Sequence, residues 1–265
     1  MILKAARGLY GYFWMYWGFL YIGVVGLAYN VVCWALHPLV HGPAPARTAR
    51  RVFSMLMRVF FRMLIAAGVL RVDLSALYAL RGRGGIIIAP NHPSMLDALF
   101  VISRIPDVGC IMKAPIWDHP ILGGAARLMS YIRNDAPLSM VRQAVEGLAG
   151  GVPLLVFPEG TRTRRKPVNA FKGGFALIAK KAQVPIQTVF IETANPFLGK
   201  GWPPLKKPVF PLVYHVRLGR AFIVEGSVRT FVRGLEQYYR DELSGPLATQ
   251  AVVEPAPAAR PGAAV

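Results

Sequence analysis

Two short apolar runs in this 265-residue chain each end in residues able to do chemistry. The first, Ile86–Ala89 (IIIA), leads into PNHPSMLDA, which places Asp97 five residues after His92. A loop that leaves a strand and enters a helix can fold so that a carboxylate at this spacing meets the imidazole. Such contact fixes the histidine tautomer and strengthens the ring as a base. None of the other four histidines has an aspartate at that spacing. The ends of strands are also where α/β sites form. A histidine that merely hydrogen-bonds within its loop satisfies the same pattern, so the pair by itself leaves both readings open.

The second run, Leu154–Phe157, turns a Pro-Glu-Gly corner in VFPEGTRTRR. Here Gly160 lets backbone approach a ligand, Arg162 can donate a bidentate pair to phosphate, and Glu159 can accept a hydroxyl or pin an arginine. Taken alone, the stretch reads more plainly as a solvated turn. Arg164, Arg165 and Lys166 extend its positive surface, and Lys172 follows at the start of a helical stretch, FKGGFALIAKKA.

Nucleophile chemistry finds no support. The chain has no G-x-S-x-G elbow and no Walker A loop, and GRGG at Gly82–Gly85 precedes a strand instead of opening a helix. Its two cysteines, Cys33 and Cys110, lie in separate apolar segments without a C-x-x-C or Cys/His cluster, so neither a disulfide, a zinc site nor any other metal is expected. What is left is a histidine that activates a hydroxyl of the substrate itself, with no covalent enzyme intermediate.

The elements that must position these residues follow from hydrophobic patterning. From about Arg71, short apolar runs alternate with helical stretches. Ile86–Ala89, Val108–Met112, Leu154–Phe157, Ile186–Ile191 and a late pair at Val213–Leu218 and Ala221–Val224 read as strands; Leu96–Arg104, Leu122–Tyr131, Met140–Ala149 and Phe171–Ala182 read as helices. Apolar, doubly buried strands alternating with helices predict an α/β domain over 71–244. Ahead of it, Gly8–Leu36 carries no charged side chain. At about 1.5 Å per residue this helix reaches roughly 43 Å, beyond the ~30 Å of a bilayer core. A membrane-embedded segment over 1–46 is the expectation, with a buried core helix as the alternative. Tyr10, Tyr12, Trp14, Tyr16 and Trp17 suit an interfacial belt. After the linker His37–Ala46, residues 47–70 read as a basic amphipathic helix, with Arg47, Arg51, Arg58 and Arg62 at helical spacing; a core helix with a solvated stripe fits as well. The arginine excess after the apolar run predicts a cytoplasmic (inner) membrane protein with its domain on the cytoplasmic side. Pro/Ala-rich 245–265 reads as a disordered tail.

The charge is lopsided, 31 Lys+Arg against 13 Asp+Glu for a formal net of +18, and suits an anionic partner. Composition alone admits nucleic acid, an acidic membrane or an acidic carrier.

Four blocks in order carry a resemblance. NHPSMLD resembles the NHx4D block of the glycerolipid acyltransferases, specifically the 1-acylglycerol-3-phosphate (lysophosphatidate) acyltransferase family, and VFPEGTR is similar to that family's FPEGTRS block. Lys113–Asp135 resembles its middle block, and VPIQTVFI (Val184–Ile191) its fourth. The resemblance implies that His92, oriented by Asp97, takes the proton from an acceptor hydroxyl as it attacks an acyl thioester. It further implies that Glu159, Gly160 and Arg162 bind the acceptor, with Lys113 and Arg133 adding to the anion site. It implies no cofactor: acyl-CoA or acyl carrier protein is the donor substrate, and the partners are membrane lipids and a lysophospholipid, with no nucleic acid. Thr188 stands where the fourth block usually has proline, and KAPIWDHP departs from the common middle block; both departures bear on the acceptor, for which lyso-ornithine lipid or a polyene-pigment lipid is the alternative. The rival from another class is a non-catalytic module binding anionic lipid or nucleic acid, and a hydrolase releasing free fatty acid is a third option.

Overall fold

The computed structural model describes residues 2–119, 123–203 and 205–244; the tail expected at 245–265 lies outside them. Its centre is a seven-stranded sheet of β1 (Leu70–Asp73), β2 (Ile87–Pro90), β3 (Gly109–Met112), β4 (Ile132–Arg133), β5 (Leu154–Leu155), β6 (Ile186–Glu192) and β7 (Leu212–Phe222). The spatial order is β1-β7-β6-β2-β5-β3-β4, parallel throughout except for the β6–β7 pair. This is the α/β architecture the patterning predicts.

Both faces are covered, which explains why β2 is apolar at successive positions. Ile88 joins a core with Phe61, Leu77 and Phe100, under α2 (Pro43–Ala66) and α3 (Leu96–Arg104). Ile87 and Ala89 point the other way, into a core with Leu148, Ala176 and Ile178. That second layer is α6 (Pro137–Ala149), α7 (Gly174–Ala182) and α8 (Val228–Ser244), while α4 (Ala114–Trp117) and α5 (Gly123–Leu128) follow β3.

Several boundaries differ from the sequence reading. Helix α2 begins at Pro43, inside the expected linker, because proline in a first helical turn sacrifices no hydrogen bond. The late strand pair is one continuous β7. Gly219 interrupts its pattern without turning the chain: a Cβ there would lie 2.4 Å from atoms of Phe190 and Thr188, so glycine is needed for close approach. Helix α8 carries no expectation from the sequence, yet it buries Val232, Leu235 and Tyr239.

Helix α1 (Ile2–Leu36) is long and apolar enough to cross a membrane. It is also docked on the domain along its length. The Tyr10 hydroxyl donates to Ala67 O (2.7 Å), the Tyr29 hydroxyl to Ala49 O (2.7 Å), and Ala125 N–H to Asn30 Oδ1 (3.1 Å), while Met15 and Cys33 are buried. The opposite face exposes Leu9, Phe13, Tyr16, Leu20, Val24, Leu27, Val31 and Trp34, a stripe at i+3/i+4 spacing.

Candidate active site

The site is assembled at the ends of neighbouring strands. Directly after β2, the Asn91 side chain clamps the adjacent β6: its Nδ2 donates to Ile191 O (2.8 Å) and its Oδ1 accepts from Ile191 N–H (2.7 Å). From below, the Tyr239 hydroxyl donates to Ala89 O. The backbone delivering His92 is thus held on two sides.

His92 Nδ1 lies 2.9 Å from Asp97 Oδ2, in the first turn of α3. Asp97 Oδ2 also accepts Ser94 N–H at 2.7 Å. A carboxylate there requires the proton on Nδ1, which leaves the Nε2 lone pair as the base. The ring stacks on Phe157 at 3.8 Å between centroids, so its plane is set as well. Asp97 is fully buried, and burial pushes its carboxyl up to about 6, against the opposing pull of the His92 hydrogen bond and charge and of Ser94 N–H.

Glu159 serves a different purpose from the one its motif suggests. It is buried, and every contact it makes is to the protein: Oε1 accepts His92 N–H (2.9 Å) and the Thr163 hydroxyl (2.7 Å), and Oε2 accepts Asn169 N–H (2.8 Å). Thr163 N–H in turn donates to His92 O (2.7 Å). The carboxylate therefore ties the His92 loop to the loop after β5, and it is buried away from the cleft that His92, Gly160 and Arg162 line. Three donors offset the cost of burying the charge.

His92, Lys113, Gly160 and Arg162 line one cleft of about 540 Å³. Gly160 adopts φ +66°, a conformation that disfavours side chains, and brings backbone to the cleft wall. Arg162 is anchored by Nη1 to Leu198 O (2.7 Å) and Gly199 O (3.0 Å), which leaves the other donors of its guanidinium fork. Arg133 is not among the cleft residues; it pairs with Asp118 (2.9 Å) and Asp135 (2.6 Å), so two carboxylates neutralise it. Asp118 belongs to the departure KAPIWDHP, whose acid is thereby accounted for. Thr188, the other departure, is buried in β6 and donates to Arg220 O (2.7 Å), away from the cleft.

The cleft also contains Lys172 and Lys200 at the wall and Ile111, Met112, Val156, Phe175 and Ile178 deeper in. Lys172 was visible in the sequence as a helix-start cation; nothing there marked Lys200 or the clamp at Asn91. Cys110 lines the cleft too, but burial pushes its thiol up to about 12, so no thiolate nucleophile forms at neutral pH.

The site thus brings a His–Asp pair together with cations that are in no ion pair among the described residues and with apolar side chains, at the strand ends of a helix-flanked mixed sheet. The Acyltransferase family model matches residues 71–192, from β1 to the end of β6. The chain is 36% identical over 108 residues to a 1-acyl-sn-glycerol-3-phosphate acyltransferase of Limnanthes douglasii, an alignment covering 38% of each chain. To the enzyme of the same name from Pseudomonas aeruginosa it is 25% identical over 178 residues, covering 63% of this chain and 67% of that one. The crystal structure of the 1-acyl-sn-glycerophosphate acyltransferase of Thermotoga maritima has the same fold, with a TM-score of 0.63 at 22% identity, covering 91% of this chain and 97% of that one.

Proposed function

We propose that the protein transfers a fatty acyl group from a thioester, carried by CoA or acyl carrier protein, to the free hydroxyl of a lysophospholipid, with 1-acylglycerol-3-phosphate as the acceptor and phosphatidic acid as the product. The observation that carries this reading is the 2.9 Å His92–Asp97 contact opening onto a cleft with cations at its wall and an apolar interior. The acceptor oxygen bonds to the thioester carbonyl carbon as Nε2 takes its proton. The tetrahedral intermediate then collapses, the C–S bond breaks, and the imidazolium returns the proton to the departing sulfur. Asp97 stabilises that imidazolium. Arg162 and Lys113 contact the acceptor's phosphate, Gly160 shapes the wall beside it, and the acyl chain lies along Ile111, Val156 and Ile178. Glu159 acts by positioning His92, and Arg133 by bracing the segment around Asp118. No cofactor or metal is called for.

The protein works at a membrane. The exposed stripe of α1 enters the lipid, and since α1 is docked on the domain, the cleft is carried to the bilayer surface where lysophospholipid resides. Arginine excess in α2 sets the domain on the cytoplasmic side of the inner membrane. The test uses purified full-length protein, a labelled acyl donor, a panel of lyso-lipids and chromatography of the products. Labelled phosphatidic acid from the wild type, with none from His92→Ala at equal membrane attachment, is the expected result. Free fatty acid alone makes the protein a hydrolase, and near-normal turnover by the variant ends the mechanism.

A further inference from the structure

A second cavity, of about 1080 Å³, lies on the other side of the loop that carries His92, between the loop after β5 and the segment following β6. Its lining includes Asn91 and Pro93, the two neighbours of His92, so it abuts the reacting centre without containing it. Lys200 lines both cavities.

The chemistry of this second cavity is mixed in a particular way. Arg164, Lys166 and Lys200 stand on its wall, and among the described residues none of the three is in an ion pair. Arg164 above all, with Lys113 and Arg162 adding, holds the Lys200 ammonium below its ordinary value, the mark of cations gathered without a counter-charge. Glu192, also in the lining, has a buried Oε1 with no hydrogen-bond partner among the described residues, its other oxygen being 3.3 Å from Arg217 Nε. Trp202 supplies an aromatic surface. Uncompensated cations suit phosphates, an unpartnered carboxylate oxygen accepts a sugar hydroxyl or an exocyclic amine, and an indole stacks on a base. The volume, about 1080 Å³, lies just above the roughly 300–1,000 Å³ typical of small-molecule sites.

We propose that this cavity binds the phosphorylated nucleotide end of the acyl donor, a CoA-type thioester whose pantetheine arm passes Lys200 to reach His92. The inference rests on the acyl-transfer reading for its donor, but binding is measured without turnover. Arg164 and Lys166 then contact the phosphates, Glu192 the ribose or base, and the acceptor's phosphate is left to Arg162 and Lys113. Of the basic run after Glu159, Arg162 serves one substrate and Arg164 the other.

The experiment is equilibrium titration of detergent-solubilised full-length protein with CoA, 3′,5′-ADP, pantetheine and holo-acyl carrier protein. The wild type and Arg164→Glu/Lys166→Glu are compared, with Lys200→Glu as a second variant. All three side chains are exposed, so the substitutions leave the core untouched. The expected result is a loss of at least tenfold in affinity for CoA and for 3′,5′-ADP in the double variant, with pantetheine binding unchanged. Equal CoA affinity in wild type and variants, or an equal loss for pantetheine, overturns the proposal. So does holo-acyl carrier protein binding that is lost in the variants while CoA binding is untouched, since that carrier has the arm without the nucleotide. A failure of the acyl-transfer reading looks different: CoA still binds and the variants still weaken it, but the wild type forms no acylated lipid.

Discussion

Asp97→Asn should make the protein more stable and less active at once, and both magnitudes follow from the site. The Asp97 carboxyl sits at about 6 in the folded protein against an ordinary 3.8, with burial as the main cause. A carboxyl raised in this way favours folding below about 3.8, where it is neutral in both states. That contribution declines as pH rises and is gone above about 6, where the folded protein must keep a buried charge. A difference of about two pH units, at about 1.4 kcal/mol each, makes the cost about 3 kcal/mol at neutral pH. Asparagine is isosteric and uncharged, but its amide would be buried where Asp97 Oδ1 has no hydrogen-bond partner, which takes back about 1–2 kcal/mol, so the variant should gain roughly 2–6 °C in thermal midpoint at pH 7.5 and lose that advantage below about pH 4. Activity moves the other way. An amide no longer compels the proton onto His92 Nδ1, and the wrong tautomer costs about 10⁴ in turnover. Thermal melts in detergent from pH 4 to 8, paired with acyl-transfer rates, read out both arms. A variant no more stable than wild type at pH 7.5 removes the burial argument, and one keeping more than a tenth of wild-type turnover removes the role of Asp97 in fixing the His92 tautomer.

Glu159→Gln replaces one acceptor oxygen by an amide facing backbone donors, and should cost about 3 kcal/mol of stability while lowering turnover at saturating substrate and leaving the acceptor KM little changed; a selective rise in acceptor KM would instead make Glu159 a substrate contact. Arg162→Ala should raise the KM for a phosphorylated acceptor by about tenfold or more, as expected for a charge-assisted contact, with a smaller effect on an acceptor lacking phosphate. Equal effects on the two acceptors would assign Arg162 only to its anchors at Leu198 O and Gly199 O.

The sheet was legible because its central strands are buried on both faces, which leaves continuous apolar runs bounded by turn residues. Helix α3 was legible for a related reason: its apolar positions recur at helical spacing up to Arg104, where the structure ends it. Helix α8 escaped because most of its residues are polar and only a narrow stripe, with Val232, Leu235 and Tyr239, is buried. Pro43 was hidden by the ambiguity of proline, which opens helices as readily as it fills linkers. Within the site, the spacing of His92 and Asp97 was enough, because a contact across five residues is a local property of a loop entering a helix. Glu159 was misjudged for the opposite reason. Residue type says that a carboxylate can accept hydrogen bonds, but only the fold shows that His92, Thr163 and Asn169 already supply them.

That contrast reflects how the strand order builds the site. In the spatial order β6-β2-β5-β3, strands distant in sequence become parallel neighbours, and their following loops open on one edge. His92 follows β2, Lys113 follows β3, and Glu159, Gly160 and Arg162 follow β5, while β6 receives the Asn91 clamp. The crevice beyond the ends of parallel strands is where ligands bind in open α/β sheets. Because β2 and β5 are adjacent, with Ile87 opposite Leu154, the two motif loops emerge side by side and one buried carboxylate can span them. Glu159 is thus the consequence of putting the His92 loop and the Gly160–Arg162 corner on neighbouring strands: both loops have backbone donors turned inward, and a single charged acceptor satisfies them. A motif of Glu, Gly and Arg in immediate succession therefore divides its labour by direction, with Glu159 facing the His92 loop and Gly160 and Arg162 facing the cleft.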